Sequence, residues 1–137
     1  MLHLKSVNHI AIIASDYNRS RSFYTQVLGM EVIGEEYREE RNSMMGRLAL
    51  NGEYLIELFS FPGSPPRPSY PEACGLRHLA FTVADITEAV SVLERMQVAH
   101  EPVRTAPNGE KFCFFHDPDG LPIELVEKVS PNKCFNT

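Results

Sequence analysis

The sequence predicts an α+β fold made of two βαβββ modules in a single domain. The first observation is an internal repeat, because V-N-H-I-A-I-I-A-S-D at residues 7–16 is matched by L-R-H-L-A-F-T-V-A-D at residues 76–85. The second is that each copy is followed by a helix pattern and then by three short apolar segments of the strand type. A module of this size cannot cover both faces of its own sheet, so we expect the two modules to pack together.

The first module contains start, stop and turn signals in the order that this fold requires. Its strands are predicted at residues 7–13, 30–37, 45–50 and 54–61. Ser15 and Asp16 can accept hydrogen bonds from the free N–H groups of a helix start, and Gly29 lies where that helix should stop. Asn51-Gly52 is a strong signal for a tight hairpin between the last two strands.

The second module repeats this order after a linker. Residues 62–75 are rich in proline, glycine and serine, which predicts an irregular connection. Asp85 can cap a helix whose apolar positions follow the i, i+3, i+4, i+7 spacing. Strands are predicted at residues 76–83, 101–104, 111–116 and 121–127, and the turn D-P-D-G joins the last two. The predicted organisation is module 1 at residues 5–61, the linker, module 2 at residues 76–129 and a tail at residues 130–137.

Length and composition favour an ordinary globular protein. A chain of 137 residues is long enough for one domain with a sizeable core. The net charge of −5, without a basic stripe, argues against a nucleic-acid partner, and no apolar stretch is long enough to span a membrane. No secretory signal is visible, and Cys74, Cys113 and Cys134 form no pairing pattern, so we expect free thiols in the cytoplasm.

Two histidines and two glutamates recur at equivalent places in the two halves. His9 and His78 occupy the same position of the repeat, while Glu57 in Y-L-I-E-L-F and Glu124 in P-I-E-L-V each interrupt an apolar strand. We expect all four side chains to point inward. A bare carboxylate in such a place is costly unless it is paired, hydrogen-bonded or bound to a cation.

These four residues are predicted to bind one divalent metal ion. A single strand histidine is more often a hydrogen-bonded core residue, and a single strand glutamate more often lies on a solvated face; independent residues of that kind have no reason to recur in both halves. Two imidazoles and two carboxylates suit Ni, Zn, Co, Mn or Fe, and the ligand types do not choose among them. No cysteine is near the set, which excludes the thiolate-rich structural zinc sites.

Five motifs give the chain a resemblance to a known family. They are N-H-I-A-I, S-F-Y-T-Q-V-L-G-M, L-I-E-L, R-H-L-A-F-T-V and D-P-D-G-L-P-I-E-L, and they cover both halves. With them the chain resembles the vicinal oxygen chelate superfamily, and within it the bacterial glyoxalase I (lactoylglutathione lyase) group. The resemblance implies curled mixed sheets around a metal that is held by His9, Glu57, His78 and Glu124. Glyoxalase I-like isomerases use all four positions, whereas extradiol dioxygenases and fosfomycin-resistance thiol transferases use the two histidines and only the later glutamate, so Glu57 favours the isomerases.

The resemblance implies an enzyme that moves a proton next to a carbonyl of a small substrate with two adjacent oxygens, such as a methylglyoxal–thiol adduct. In this hypothesis the metal stabilises an enediolate. Glu57 or Glu124 is the catalytic residue that carries the proton, and the symmetry leaves open which. Two alternatives stay open: another metalloenzyme of the superfamily (an extradiol dioxygenase or a thiol transferase), and a non-catalytic binding protein of the bleomycin-resistance type.

One departure from the family concerns glutathione. Glyoxalase I proteins commonly carry an arginine shortly after the first ligand histidine, where it holds a glutathione carboxylate, but residues 10–14 contain none. The use of glutathione therefore stays open. Other arginines are predicted to lie on the surface, namely Arg41, Arg47, Arg67 and Arg77. Residues 62–75 are predicted to be a plain connector, although Tyr70 with Arg67 would give them the recognition chemistry of a lid.

Three other histidines are predicted to lie away from the site. His116 precedes the D-P-D-G turn and is predicted to be a surface residue at a strand end, while His3 and His100 are predicted to be solvated. The resemblance also implies a homodimer, because open curled sheets leave edges to cover. Whether a site forms within one chain or between two chains stays open.

Overall fold

The computed structural model describes residues 1–129, so the predicted tail at residues 130–137 and Cys134 lie outside the described residues. The first half contains β1 (Ile10–Ala14), α1 (Tyr17–Ser22) with a π-helical continuation (Phe23–Val27), β2 (Glu31–Arg38), a 3-10 turn (Glu39–Arg41), β3 (Ser43–Leu50) and β4 (Glu53–Ser60). The second half contains β5 (Leu79–Thr82), α2 (Ile86–Arg95), β6 (Arg104–Thr105), β7 (Lys111–His116) and β8 (Pro122–Glu127). None of the helices described is long and apolar enough to cross a membrane.

The chain divides into two compact units, and the boundary between Pro66 and Arg67 lies inside the predicted linker. Residues 61–78 contain no helix or strand. Each unit has a four-stranded mixed sheet with the same connectivity, β1-β4-β3-β2 in the first and β5-β8-β7-β6 in the second. The pairs β1–β4 and β5–β8 are parallel, and the other neighbours are antiparallel. The predicted α+β class and βαβββ order are therefore confirmed.

The core of the first unit lies on the face of its sheet that carries α1. Asp16 caps this helix, because its side chain accepts a hydrogen bond from the backbone N–H of Arg19 at 3.1 Å. The helical segment buries Tyr17 and Tyr24, and the sheet buries Leu48, Ile56 and Leu58. The predicted hairpin is confirmed, since Asn51 and Gly52 both have positive φ, at 50° and 82°.

At Gly46 the side chain of Tyr17, from α1, packs directly against β3. A Cβ added there would lie 3.2 Å from Cζ of Tyr17 and would overlap its hydroxyl oxygen. That hydroxyl is fixed, because it donates to Oε1 of Glu35 at 2.6 Å, and Nε of Arg21 donates to the same oxygen at 2.6 Å. The hydrogen bond from Tyr17, followed by that from Arg21, holds the pKa of Glu35 below its usual value, while burial raises the pKa of Tyr17.

The second unit is built in the same way around α2. Asp85 caps the helix by accepting from the backbone N–H of Glu88 at 3.1 Å, as the sequence predicts. The helix buries Ile86 and Leu93, and the facing strands bury Cys113, Phe115, Ile123 and Leu125. The D-P-D-G turn is also confirmed, because Oδ1 of Asp117 accepts from the N–H groups of Asp119 and Leu121, both at 2.9 Å.

Three strands differ most from their predicted bounds, and the others agree within two residues. β1 and β5 each begin three residues late, because regular pairing starts only where Ile10 meets Ile56 and where Leu79 meets Ile123. β6 is reduced to two residues instead of residues 101–104. Pro102 has no N–H to donate to the ladder, and pairing is therefore interrupted after the backbone bond from Glu101 to Phe114.

Candidate functional site

The first histidine–glutamate pair lies where β1 and β4 run side by side. His9 immediately precedes β1, and two residues later Ala11 is the Cα partner of Glu57 in the parallel pair. Because side chains alternate along strands, His9, Ala11 and Glu57 share one face of the sheet. Nε2 of His9 is 3.6 Å from Oε1 of Glu57.

The second pair has the same register in the other unit. His78 immediately precedes β5, and two residues later Ala80 is the Cα partner of Glu124 on β8. Nε2 of His78 is 4.0 Å from Oε2 of Glu124. Each unit therefore brings together one imidazole and one carboxylate by the same arrangement of two parallel strands.

Both pairs lie on the sheet face opposite to the helix, away from the apolar core that the helix covers. Ile56 and Leu58, which flank Glu57, are fully buried, while the side chain of Glu57 keeps 19% of its exposure and that of His9 keeps 36%. The corresponding values are 19% for Glu124 and 26% for His78. The strand alternation that buries the flanking residues places the carboxylates on the other face, where they are half-buried and remain accessible to a ligand.

Polar neighbours surround the first pair. The hydroxyl of Tyr54 donates to Oε2 of Glu57 at 3.2 Å, and the Tyr54 ring stacks on the His9 ring with centroids 5.2 Å apart. Burial, and then the negative charge of Glu57, raise the pKa of Tyr54, so its hydroxyl keeps its proton at neutral pH. Arg47 on β3 is the cross-strand partner of Glu57.

The neighbours of the second pair are more apolar. Phe114 on β7 is the cross-strand partner of Glu124, and its ring meets the His78 ring edge-on with centroids 5.2 Å apart. Nη1 of Arg77 is 3.2 Å from Nδ1 of His78, and its Nε donates to Glu72 at 2.7 Å. An arginine only donates, so Nδ1 of His78 accepts this hydrogen bond, and Nε2 of a neutral ring then carries the proton. Nε2 can bind a metal only after the exposed Arg77 moves away and the proton shifts to Nδ1.

The donor set suits a divalent metal ion. Nδ1 of His9 lies 2.6 Å from the side-chain oxygen of Asn8 and donates to it, which leaves the lone pair of a neutral ring on Nε2, next to Glu57. Ligand histidines commonly have their second nitrogen held in this way. Within residues 1–129, no three histidine, cysteine, aspartate or glutamate side chains form a group that could hold a metal. Each unit by itself thus supplies two of the four predicted ligands.

His100 is not solvated, contrary to prediction. Its side chain is only 17% exposed, and its Nδ1 donates to the carbonyl oxygen of Glu101 at 2.8 Å. The Sγ of Cys113 also donates to this oxygen, at 3.1 Å, and burial raises the pKa of the thiol. His100 lies next to the sheet because its backbone pairs with that of Phe115. The proline in the segment that follows hides this pairing from a reading of the sequence. Cys74 and Cys113 are both free, as predicted.

Two of the arginines predicted to be plain surface residues, Arg67 and Arg77, line a cleft of the second unit together with Tyr70 and His116. Arg67 is only half-exposed, because its Nη2 donates to the carbonyl oxygens of Leu76 and Arg77, both at 3.0 Å. His3, which was also predicted to be solvated, is exposed.

Comparison with known proteins identifies the family. Residues 6–125 match the family model described as the Glyoxalase/Bleomycin resistance protein/Dioxygenase superfamily, and the chain belongs to this superfamily. It is 60% identical over 129 residues to the uncharacterized protein YaeR of Escherichia coli (strain K12), a match that covers 93% of this chain and 100% of that protein. It is 27% identical over 125 residues to lactoylglutathione lyase GLX1 of Arabidopsis thaliana, covering 88% of this chain and 43% of the plant protein.

Solved structures share the fold. The glyoxalase family protein from Enterococcus faecalis superposes with a TM-score of 0.84 at 46% identity, covering 90% of this chain and 98% of that one. A mutant of the fosfomycin resistance protein FosX from Listeria monocytogenes, complexed with Mn(II) and 1S,2S-dihydroxypropylphosphonic acid, gives a TM-score of 0.73 at 18% identity, covering 96% and 99%. At that identity the likeness to FosX shows the fold alone.

Proposed function

We propose that this chain is a divalent-metal-dependent lyase or isomerase of the glyoxalase I type. The observation that supports the proposal is the pair of a histidine and a glutamate that recurs in both units. In each unit the histidine precedes a strand, and the residue two positions after it is the cross-strand partner of the glutamate on the neighbouring parallel strand. Distant relatives named lactoylglutathione lyase agree with this type of activity, and the FosX complex is a case of Mn(II) bound by a protein of the same fold. We propose His9, Glu57, His78 and Glu124 as the ligands.

The residues of the chain then have definite roles. A bound divalent ion would supply positive charge to an oxygen anion that develops on the substrate. One glutamate, Glu57 or Glu124, takes a proton from one carbon and returns it to the neighbouring carbon. Both carboxylates keep about a fifth of their exposure, which gives a small substrate direct access to them. Tyr54 holds Glu57 in place through its hydroxyl group.

The direct test combines metal analysis with an assay. Protein purified without chelator is analysed for metals and assayed with methylglyoxal adducts of glutathione and of other thiols. We expect bound metal and isomerisation of at least one adduct, and a rate roughly 10²–10⁴-fold lower for Glu57→Gln and for Glu124→Gln. Glu53→Gln, at the exposed start of β4, is the matched control. Absence of metal from the wild-type protein, or full activity of both glutamate variants, would contradict the proposal.

We also propose that the protein is a homodimer. Leu2 and Leu4 are 82% and 84% exposed, and Met1 and Val7 are exposed as well, so the N-terminal segment presents apolar side chains that a second copy would cover. The predicted result of sedimentation measurements is a dimer for the wild-type protein and a shift towards monomer for the double variant Leu2→Glu/Leu4→Glu. A wild-type monomer at micromolar concentration would contradict it.

A further inference from the structure

The second unit contains a cleft whose lining is basic, although the chain as a whole is acidic. The cleft has a volume of about 670 Å³, within the range of small-molecule sites, and all of its lining residues belong to the second unit. Three arginines, Arg67, Arg77 and Arg104, line it against two glutamates, Glu72 and Glu101. The chain as a whole has 13 basic and 18 acidic residues, so an excess of arginine in one cleft is a local feature.

Two of these arginines have no carboxylate partner among residues 1–129. Arg77 is paired with Glu72, with Nε 2.7 Å from Oε1. Arg67 instead donates to two backbone carbonyls, and its Nε is buried and forms no hydrogen bond within the described part of the chain. Arg104 lies on β6 and forms no ion pair with any other described residue. Arg104 can therefore bind an oxyanion through two parallel N–H groups, and Arg67 can donate to it from Nη1, because its Nη2 is already used by the two carbonyls.

Apolar surface in the same cleft adjoins the second histidine–glutamate pair. Phe114 and Pro122 contribute to the lining, and Tyr70 extends it. The Phe114 ring contacts His78 edge-on, and Phe114 is the cross-strand partner of Glu124. A ligand that lies against Phe114 therefore lies beside the proposed catalytic pair.

We propose that this cleft binds small molecules in which an oxyanion, a carboxylate or a phosphate group, is joined to a flat apolar group. Arg67 and Arg104 bind the anion, and Phe114 packs against the apolar part. The identity of the substrate rests on the proposed function. If that function holds, the substrate is an anionic compound whose reacting carbons reach His78 and Glu124. The binding step itself depends on neither metal nor turnover.

Binding to the metal-free protein tests the proposal directly. Phenyl phosphate and phenylacetate are titrated into chelator-treated protein by calorimetry, with benzyl alcohol as the neutral probe of similar shape. We expect binding of at least one anion, at least tenfold tighter than that of benzyl alcohol, and the two anions report whether phosphate or carboxylate is preferred. Failure of both anions to bind at millimolar concentration, or equal binding of the neutral probe, would overturn the proposal.

Charge variants of opposite sign locate the anion. Arg104→Gln is expected to weaken binding roughly 10- to 100-fold through loss of a charge-assisted hydrogen bond. Glu101→Gln is expected to strengthen it by roughly 2- to 5-fold, because it removes a like charge from the lining. Arg95→Gln, in the last turn of α2 and outside the cleft, should leave it unchanged.

Arg67→Lys keeps a positive charge at this position but removes the guanidinium that Nη2 anchors to two backbone carbonyls, and a loss of affinity for the anions without a loss of folded structure is expected. Equal anion affinity in Arg104→Gln and the wild-type protein would overturn the proposal even if the enzyme assay succeeds. Conversely, the proposed enzymatic function can fail while these affinities keep the expected order.

Discussion

At the scale of single residues, Tyr54 links the two members of the first pair. Its hydroxyl donates to Glu57 while its ring stacks on His9, so one side chain restrains both the carboxylate and the imidazole. Phe114 cannot form the same link in the second pair, because it contacts His78 but has no group that can donate to Glu124. The first pair is thus the more restrained of the two, a difference that the repeat in the sequence does not show.

Substitution of Tyr54 tests this restraint. Tyr54→Phe keeps the ring and removes the hydrogen bond to Glu57, so we expect metal affinity or catalytic efficiency to fall roughly 10- to 100-fold, the usual effect of losing a group that orients a ligand. The measurements are metal dissociation by competition with a chromogenic chelator, and kcat/KM. Tyr37→Phe is the control, because Tyr37 donates to Asn42 on the exposed edge and does not touch either pair. Equal losses in both variants would refute the role of Tyr54.

Glu35 makes the stability of the folded protein depend on pH. Its pKa is lowered in the folded protein by the hydrogen bonds from Tyr17 and Arg21, so the stability it contributes is present above its ordinary pKa of 4.5 and is lost as the pH falls through the lower folded value. Glu35→Gln should therefore cost about 1 kcal/mol at pH 7, a small value because the carboxylate is partly exposed, and almost nothing in strong acid.

Denaturant unfolding at several pH values measures this effect. Glu36→Gln is the matched control, since Glu36 has only an exposed contact with Arg38 at 3.6 Å. A destabilisation by Glu35→Gln that is the same at pH 7 and in strong acid would show that the carboxylate charge is not what matters.

At the scale of elements, the contact between α1 and β3 depends on the absence of a side chain at Gly46. Alanine there would meet the ring and hydroxyl of Tyr17, which is held by Glu35. We expect Gly46→Ala to lower the free energy of unfolding by about 1–3 kcal/mol through overpacking. In the Tyr17→Phe background the clash with the hydroxyl disappears, so the same substitution should cost less.

A double-mutant cycle in denaturant measures that coupling. Gly34→Ala is the control, because its Cβ would lie 3.9 Å from Nη1 of Arg47, which is ordinary van der Waals packing. Additive costs of Gly46→Ala and Tyr17→Phe would rule out the proposed contact.

The elements with local signals were predictable from the sequence, and those that depend on pairing were less so. Asp16 and Asp85 mark both helix starts, and Asn51-Gly52 marks the hairpin, since each acts on its own neighbours. β1 and β5 begin later than predicted because a strand begins where its partner supplies hydrogen bonds, and apolar residues alone do not show that. The place of His100 was missed for the same reason.

At the scale of the whole molecule, the internal repeat makes the candidate site visible in the amino-acid sequence alone. Four residues recur in the sequence, and each unit of the fold arranges its two in the same register. The face on which they lie was not predictable from apolar flanks, because the residues beside a strand glutamate point away from it. The arginine-lined cleft was also missed. Arg67 lies in the irregular connection and Arg104 on β6, and only the fold brings these two segments together.

The number of metal ions bound per chain shows whether the two pairs serve one ion. Each pair alone offers two protein ligands, whereas metal ions in proteins of this kind are usually held by three or four.

If one ion uses both pairs, His9→Ala and His78→Ala should each abolish most metal binding, with about one ion per wild-type chain and close to none in either variant. If the pairs bind separate ions, the wild-type chain should hold two and each variant one. Equilibrium dialysis followed by elemental analysis distinguishes these outcomes, and His3→Ala, at an exposed position outside both pairs, should retain the wild-type content. A retained ion in either histidine variant would show that the two pairs bind metal independently and would contradict a single ion held by all four proposed ligands.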